Sequence, residues 1–238
     1  MSTHSQAHPC RRCVWPLRFC RVKSGYEYRN QIIKMNVGSR DPWLDPWLKE
    51  IEQRSSGSAV LELGCGRGRD TQILTERGIS VVAIDQSTCA LAEAALRVSD
   101  CQFLNQDIRA PLPVGSTPYP VIIASLCLHY FNWLETQKIV AQIRSVLEDS
   151  GLLICRLNSL NDLNYGASGN PQIEPNFYRV GANTKRFFDS ESILNLFGAG
   201  WEVKSMMEQT INRYEKPKVV WEVSVLKSAM VSSPVTHA

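Results

Sequence analysis

The stretch LELGCGRGRDT, residues 61–71, sets three glycines at alternate positions between an apolar run and a run that reads as a helix. Glycine accepts positive φ and lets a ligand come close to the main chain. In an open α/β sheet, ligands bind beyond the carboxyl ends of the strands, where strand order reverses. Position and composition together make the stretch a nucleotide-type loop. Two familiar phosphate loops do not fit it. The dinucleotide fingerprint G-x-G-x-x-G would need glycine at position 69, which is Arg, and no G-K-[ST] follows to make a P-loop.

Outward from the loop the chain alternates strand and helix. AVLEL precedes it as a buried strand, and residues 70–77 form a helix stopped by Gly78. SVVAID (80–85) is a second strand, 88–98 a helix, and CQFLNQD (101–107) a third strand. VIIASLCLHYF (121–131) reads as a fourth strand running into a loop. Asn132, with Glu135 three residues on, forms a capping box for a helix to about Glu148. GLLICRLN (151–158) is a fifth strand. This rhythm implies parallel β-α-β units. The reading is an α/β, Rossmann-like three-layer sandwich with a central, mostly parallel sheet of about seven strands. Residues 159–188, rich in Asn, Gly and Pro, read as a long loop, and long loops inside compact domains are usually functional. Asp189 caps a last helix, and GWEVKSMME and VVWEVSVLK close the chain as an antiparallel pair. Ahead of all this, DPWLDPWL (41–48) predicts a short helix to about Arg54, with Asp41 as N-cap and Trp43 and Trp47 on one face. That helix either covers a ligand site or packs plainly on the domain, and plain packing is the preferred reading.

Glu62, two residues ahead of Gly64, suits a ligand with a cationic end. S-adenosylmethionine carries a sulfonium and an ammonium and no phosphate. ELGCGRGRD, the acid ending VVAID and the acid of LNQDI together resemble the class I S-adenosylmethionine-dependent methyltransferases over residues 41–227. The GRGRDT loop and the FFDSESILNLF…GWEV segment are similar to those of small bacterial methyltransferases of the tellurite-resistance type. The resemblance implies that Asp85 binds the cofactor ribose and that Asp107, beside Ile108, lies near the adenine amino group. The cofactor-binding set expected is Glu62, Gly64, Cys65, Gly66, Gly68, Asp85, Gln86, Asp107, Ile108 and Ser125. Asp85 alone would also suit NAD; the glycine spacing and Asp107 favour methyl transfer.

Methyl transfer needs an aligned acceptor, exclusion of water and sometimes removal of a proton. In SLCLHYFNW, His129 is expected at the mouth of the site, positioning or deprotonating the acceptor, and a packing role is its alternative. Asn158, ending the fifth strand, faces the same crevice. No catalytic triad and no metal-ligand constellation is visible. The expected function is methylation of a small-molecule acceptor. The rivals are a cofactor-binding protein without catalysis and an NAD-dependent oxidoreductase.

Composition agrees with a globular chain: 44% apolar and 21% charged residues over 238, with a net charge of +3. The basic character sits in residues 1–34, where Arg11, Arg12, Arg18, Arg21, Lys23, Arg29 and Lys34 face a single acid, Glu27. The rest is slightly acidic, so no nucleic-acid partner is expected, and no apolar run reaches the length of a membrane span. Residues 1–34 are expected to be a dispensable basic tail; an Arg-rich mitochondrial transit peptide is the other reading. Residues 35–238 are expected to be a single methyltransferase domain. Scattered cysteines in apolar runs suggest reduced thiols and a cytoplasmic protein. The sequence does not decide the oligomeric state.

Overall fold

The computed structural model describes residues 41–212 and 214–228, and the expected basic tail at 1–34 lies outside them. Five strands and their helices alternate from the start: β1 (Val60–Leu63), β2 (Val81–Asp85), β3 (Gln102–Asn105), β4 (Tyr119–Ser125) and β5 (Leu147–Asn158). The helices are α1 (Leu48–Arg54), α2 (Arg69–Thr75), α3 (Thr88–Arg97), α4 (Trp133–Val146) and, later, α5 (Ser190–Leu196). Between β5 and α5 lie the short strands β6 (Gln172–Glu174), β7 (Phe177–Val180) and β8 (Asn183–Arg186). β9 (Trp201–Ile211) and β10 (Lys218–Lys227) end the fold.

The central sheet has seven strands in the order β3-β2-β1-β4-β5-β10-β9. β1 to β5 run parallel, and β10 enters antiparallel between β5 and β9. Side chains alternate between faces along each strand. Val60, Val121, Ile123, Leu152 and Ile154 therefore share one core with Leu48, Ile51, Leu74 and Leu91 of α1, α2 and α3. Leu61, Leu63, Ile122, Leu153 and Cys155 face the other core, with Ile139, Val140 and Ile143 of α4 and Ile193 and Leu196 of α5. Both faces are covered, so the strands read as continuous apolar runs. The expected three-layer sandwich is the one observed. Asn132 and Asp189 both form capping boxes, with Glu135 and Ser192.

Local expectations are corrected at three places. Asp41 makes no capping bond. Pro42–Trp47 form a 3-10 helix, because Pro46 has no N–H to continue an α-helical ladder through them. At three residues per turn the two tryptophans leave a common face, and Trp43 is buried while Trp47 is only half-buried. β3 stops at Asn105, so Asp107 lies in the turn beyond it. β4 runs into a loop as expected: it ends at Ser125, Leu126 takes φ 54°, and the chain enters the 3-10 turn Leu128–Tyr130. Residues 159–188 are not a plain loop: β6, β7 and β8 pair antiparallel as a small separate sheet. Its tight hairpin closes over Gly181-Ala182, with Gly181 at φ 60°.

Among the described residues no helix is long and apolar enough to cross a membrane.

Candidate functional site

β1 turns into α2 through the glycine loop, at the point where the sheet reverses its order between β1 and β4. A cleft of about 430 Å³ opens there, lined by Glu62, Gly64, Cys65, Arg67, Arg69, Asp70, Ser125, Leu126 and Tyr214. Two glycines shape it by necessity. Gly64 stands at φ 64°, and a Cβ on it would lie 2.5 Å from the Cβ of Cys127, which follows β4. Gly66 stands at φ 54° with nothing within 4 Å of a would-be Cβ, which leaves its main chain open to a ligand. Its N–H donates to Asp85 Oδ2 at 2.9 Å, and Ser87 N–H donates to Asp85 Oδ1 at 2.8 Å. Asp85 thus locks the loop to the end of β2. Each carboxylate oxygen has a second lone pair, available for ribose hydroxyls.

The floor is acidic. Glu62 points to the α2 side of the sheet, is 3% exposed, and accepts from Thr71 Oγ1 at 2.5 Å. Burial, and then the neighbouring Asp70 carboxylate, raise its pKa well above the carboxylate range, against the pull of the Thr71 bond. Asp85 adds to the repulsion. The Asp70 and Asp85 carboxylates both repel a charge on Glu62, and a bound cation would relieve that repulsion.

Asp70 accepts from Trp43 Nε1 at 3.1 Å. The Trp43 ring in turn lies under the Arg156 guanidinium, 4.3 Å away. Arg156 is 1% exposed; it reaches Asp41 at 2.6 Å and donates to Ser125 Oγ at 3.0 and 2.8 Å. The segment 41–47 is thereby strapped across the carboxyl ends of β4 and β5 and touches a residue of the cleft wall. It packs as expected, and it also braces the site. Arg67 at the rim pairs with Glu93 at 3.1 Å, and Arg69 is exposed.

Of the residues expected to bind cofactor, Glu62, Gly64, Cys65 and Ser125 line the cleft, and Gly66 and Asp85 are joined beside it. Gly68, at φ 72°, starts α2 and packs on Ala94 of α3. Gln86 is exposed just past Asp85. Asp107 is held by Arg109 at 2.6 Å in the turn after β3, and Ile108 is buried in the α4-side core. The fold does not bring these last three into the cleft wall.

His129 is not at an open mouth. It is 4% exposed beneath Tyr130, whose ring centroid is 4.2 Å away, while Tyr130 itself is 43% exposed. Burial, with Lys218 and Lys185 nearby, holds its pKa well below the ordinary value, so the imidazole is neutral. Its Nδ1 has no hydrogen-bond partner among the described residues. Asn158 does not face the cleft: it is fully buried, donates to the Arg186 carbonyl at 3.4 Å, and leaves its Oδ1 without a described partner. Burial raises the thiols of Cys65 and Cys127, so neither is a ready nucleophile. The sequence reading did not single out Tyr214, which lies in a polar link and reaches the cleft only through tertiary structure. It also gave Asp70 no binding role, although the residue stands directly after the glycine loop.

Among the described residues no group of three or more His, Cys, Asp or Glu side chains could hold a metal ion.

Residues 60–151 match the family model described as Methyltransferase domain. An uncharacterized methyltransferase of Synechocystis sp. is 28% identical over 127 residues, 53% of this chain and 59% of that one. Trans-aconitate 2-methyltransferase of Escherichia coli is 33% identical over 101 residues, 41% of this chain and 38% of its own length. The chain therefore spans less than two thirds of these curated relatives. A crystal structure of an S-adenosylmethionine-dependent methyltransferase from Clostridium acetobutylicum superposes with a TM-score of 0.64 at 18% identity, over 86% of this chain and 98% of that one. A Burkholderia thailandensis 1,6-didemethyltoxoflavin-N1-methyltransferase gives 0.57 at 20% identity, over 88% and 92%. The fold is that of the class I methyltransferases. The match over residues 60–151 and the shared fold make the chain similar to S-adenosylmethionine-dependent methyltransferases.

Proposed function

We propose that this protein transfers the methyl group of S-adenosylmethionine to a small-molecule acceptor. The observation that carries the reading is the acidic cleft at the glycine loop. Glu62, Asp70 and Asp85 converge where the sheet reverses order, and Gly66 leaves the main chain open beside them. That charge pattern suits a ligand with sulfonium and ammonium groups and opposes a pyrophosphate. Asp85 would hold the ribose hydroxyls, Glu62 and Asp70 would face the cationic end, and Gln86, Asp107 and Ile108 would border the base beyond β2 and β3. When bound, the cofactor would supply an activated methyl group, whose carbon an acceptor lone pair would attack in line as the carbon–sulfur bond breaks and the sulfur keeps the bonding electrons. The protein's part is to align the acceptor and keep water out. Two relatives or neighbours named above act, by their names, on small molecules, which supports the same class of acceptor here. Free buried thiols support a cytoplasmic location within the proposal.

Calorimetry on the full chain tests the reading, with S-adenosylmethionine, S-adenosylhomocysteine and NAD as ligands and Asp85→Asn as the comparison. Both sulfur ligands should bind, at least tenfold more weakly to the variant, and NAD should not. Binding of NAD alone would sink the proposal and favour the oxidoreductase.

A further inference from the structure

Beyond the cleft a second polar group is built around Tyr214, which lines the cleft and lies 5.7 Å from the ring of Tyr165. Two ammonium groups flank that second ring: Lys218 Nζ at 5.0 Å from its centroid and Lys185 Nζ at 6.0 Å. They come from distant parts of the chain, Lys185 from β8 of the small sheet and Lys218 from the start of β10.

The two charges are not equivalent. Lys218 is 6% exposed and is neutralised by Asp162 at 2.6 Å, whose other oxygen accepts from Val219 N–H at 3.2 Å. Lys185 is half-buried and donates to the Tyr165 carbonyl at 3.2 Å, and among the described residues no carboxylate forms an ion pair with it. The other basic side chain of β8, Arg186, is paired with Glu174. The group therefore keeps one positive charge that the described residues leave uncancelled. Burial and then repulsion from Lys218 lower the Lys185 pKa, with Asp162 opposing the shift. A half-buried ammonium hydrogen-bonded only to a carbonyl gains from a counter-charge. One ligand would supply that charge: a compact anion carried on a flat body that tyrosine rings can border.

We propose that Lys185, Tyr165 and Tyr214 form the acceptor subsite, and that it selects an acceptor bearing a carboxylate or phosphate group. The inference rests on the methyl-transfer reading above and names the acceptor class for it. Lys185 supplies the charge, Tyr165 the ring beneath it, and Tyr214 the wall shared with the cofactor cleft.

The test uses the full chain saturated with S-adenosylhomocysteine and three probes: benzoate, its uncharged amide benzamide, and phenyl phosphate. Calorimetry should show at least one anion binding, with benzamide at least tenfold weaker than benzoate or phenyl phosphate. The tighter anion tells carboxylate from phosphate. Lys185→Gln should weaken the anion about tenfold or more, Lys185→Arg should stay within about threefold, and S-adenosylhomocysteine affinity should be equal in all three proteins. Equal binding of benzamide and the anions would overturn the subsite. So would unchanged anion binding in Lys185→Gln, or no anion binding to a protein that binds S-adenosylhomocysteine. Failure to bind S-adenosylhomocysteine would be a separate readout, overturning the methyl-transfer reading and with it the acceptor role.

Discussion

Replacing Gly64 by alanine should damage the fold and the site through one methyl group. Two costs add. Alanine at φ 64° sits in the left-handed region, at about 1–2 kcal/mol. Its Cβ would also lie 2.5 Å from Cys127 Cβ, inside contact distance, in a place where Cys127 is only 7% exposed. Overpacking of this kind costs about 1–3 kcal/mol, so the total is about 2–5 kcal/mol. Gly66→Ala separates the two terms. Its φ of 54° brings the same backbone strain, but no atom lies within 4 Å, so it should cost only about 1–2 kcal/mol. Urea unfolding followed by tryptophan fluorescence gives both values. A double-mutant cycle with Cys127→Gly, which removes the opposing Cβ, should then recover about 1–3 kcal/mol as coupling with Gly64→Ala. If Gly64→Ala costs no more than Gly66→Ala, or if the coupling is below about 0.5 kcal/mol, the close approach of the loop to β4 is not what demands glycine there.

Asp162→Asn leaves the Lys218 ammonium buried without its counterion, and should destabilise the chain by about 3–5 kcal/mol in urea unfolding. Asp162→Asn combined with Lys218→Met should recover most of that loss, and failure to recover would mean the pair is not energetically closed. Glu62 predicts a pH effect of definite sign. Its folded pKa is raised, so the folded chain holds a proton that the unfolded chain releases once the pH passes the ordinary glutamate range. Stability from this residue is full below that range and is lost as pH rises toward the raised value. Glu62→Gln should flatten that part of the unfolding profile, and an unchanged slope would assign it elsewhere.

Much of the fold was legible because it is local and periodic. The alternation of VLEL and VVAID with helix-period segments marks β-α-β units wherever it occurs. The capping boxes at Asn132 and Asp189 lie within three residues of chain and fold as they read. The small sheet was hidden because its strands are polar on their exposed positions, so Asn, Gly and Thr there resemble loop composition. Even so, the alternation in FYRV-GA-NTKR and a two-residue turn with glycine first were signals of a hairpin.

The site divides along the same line. The sequence by itself determined the glycine loop, Glu62 and Asp85, because they lie on one β-α-β unit whose geometry is set within a few tens of residues. It also determined the two-sided burial of the sheet, since continuous apolar strands have no other stable place. Only the tertiary structure decided whether His129 faces solvent or the interior. β5, α4 and β8 of the small sheet pack against the turn that carries it, and the contacts from β5 and β8 are not encoded near residue 129. Only tertiary structure set Trp43 between Asp70 and Arg156, spending Asp41 on an ion pair rather than a cap. And only the antiparallel entry of β10 between β5 and β9 carried Lys218 to Tyr165 and placed Lys185 near it. Charge proximity across such distances in sequence depends on strand order, which residue periodicity does not specify.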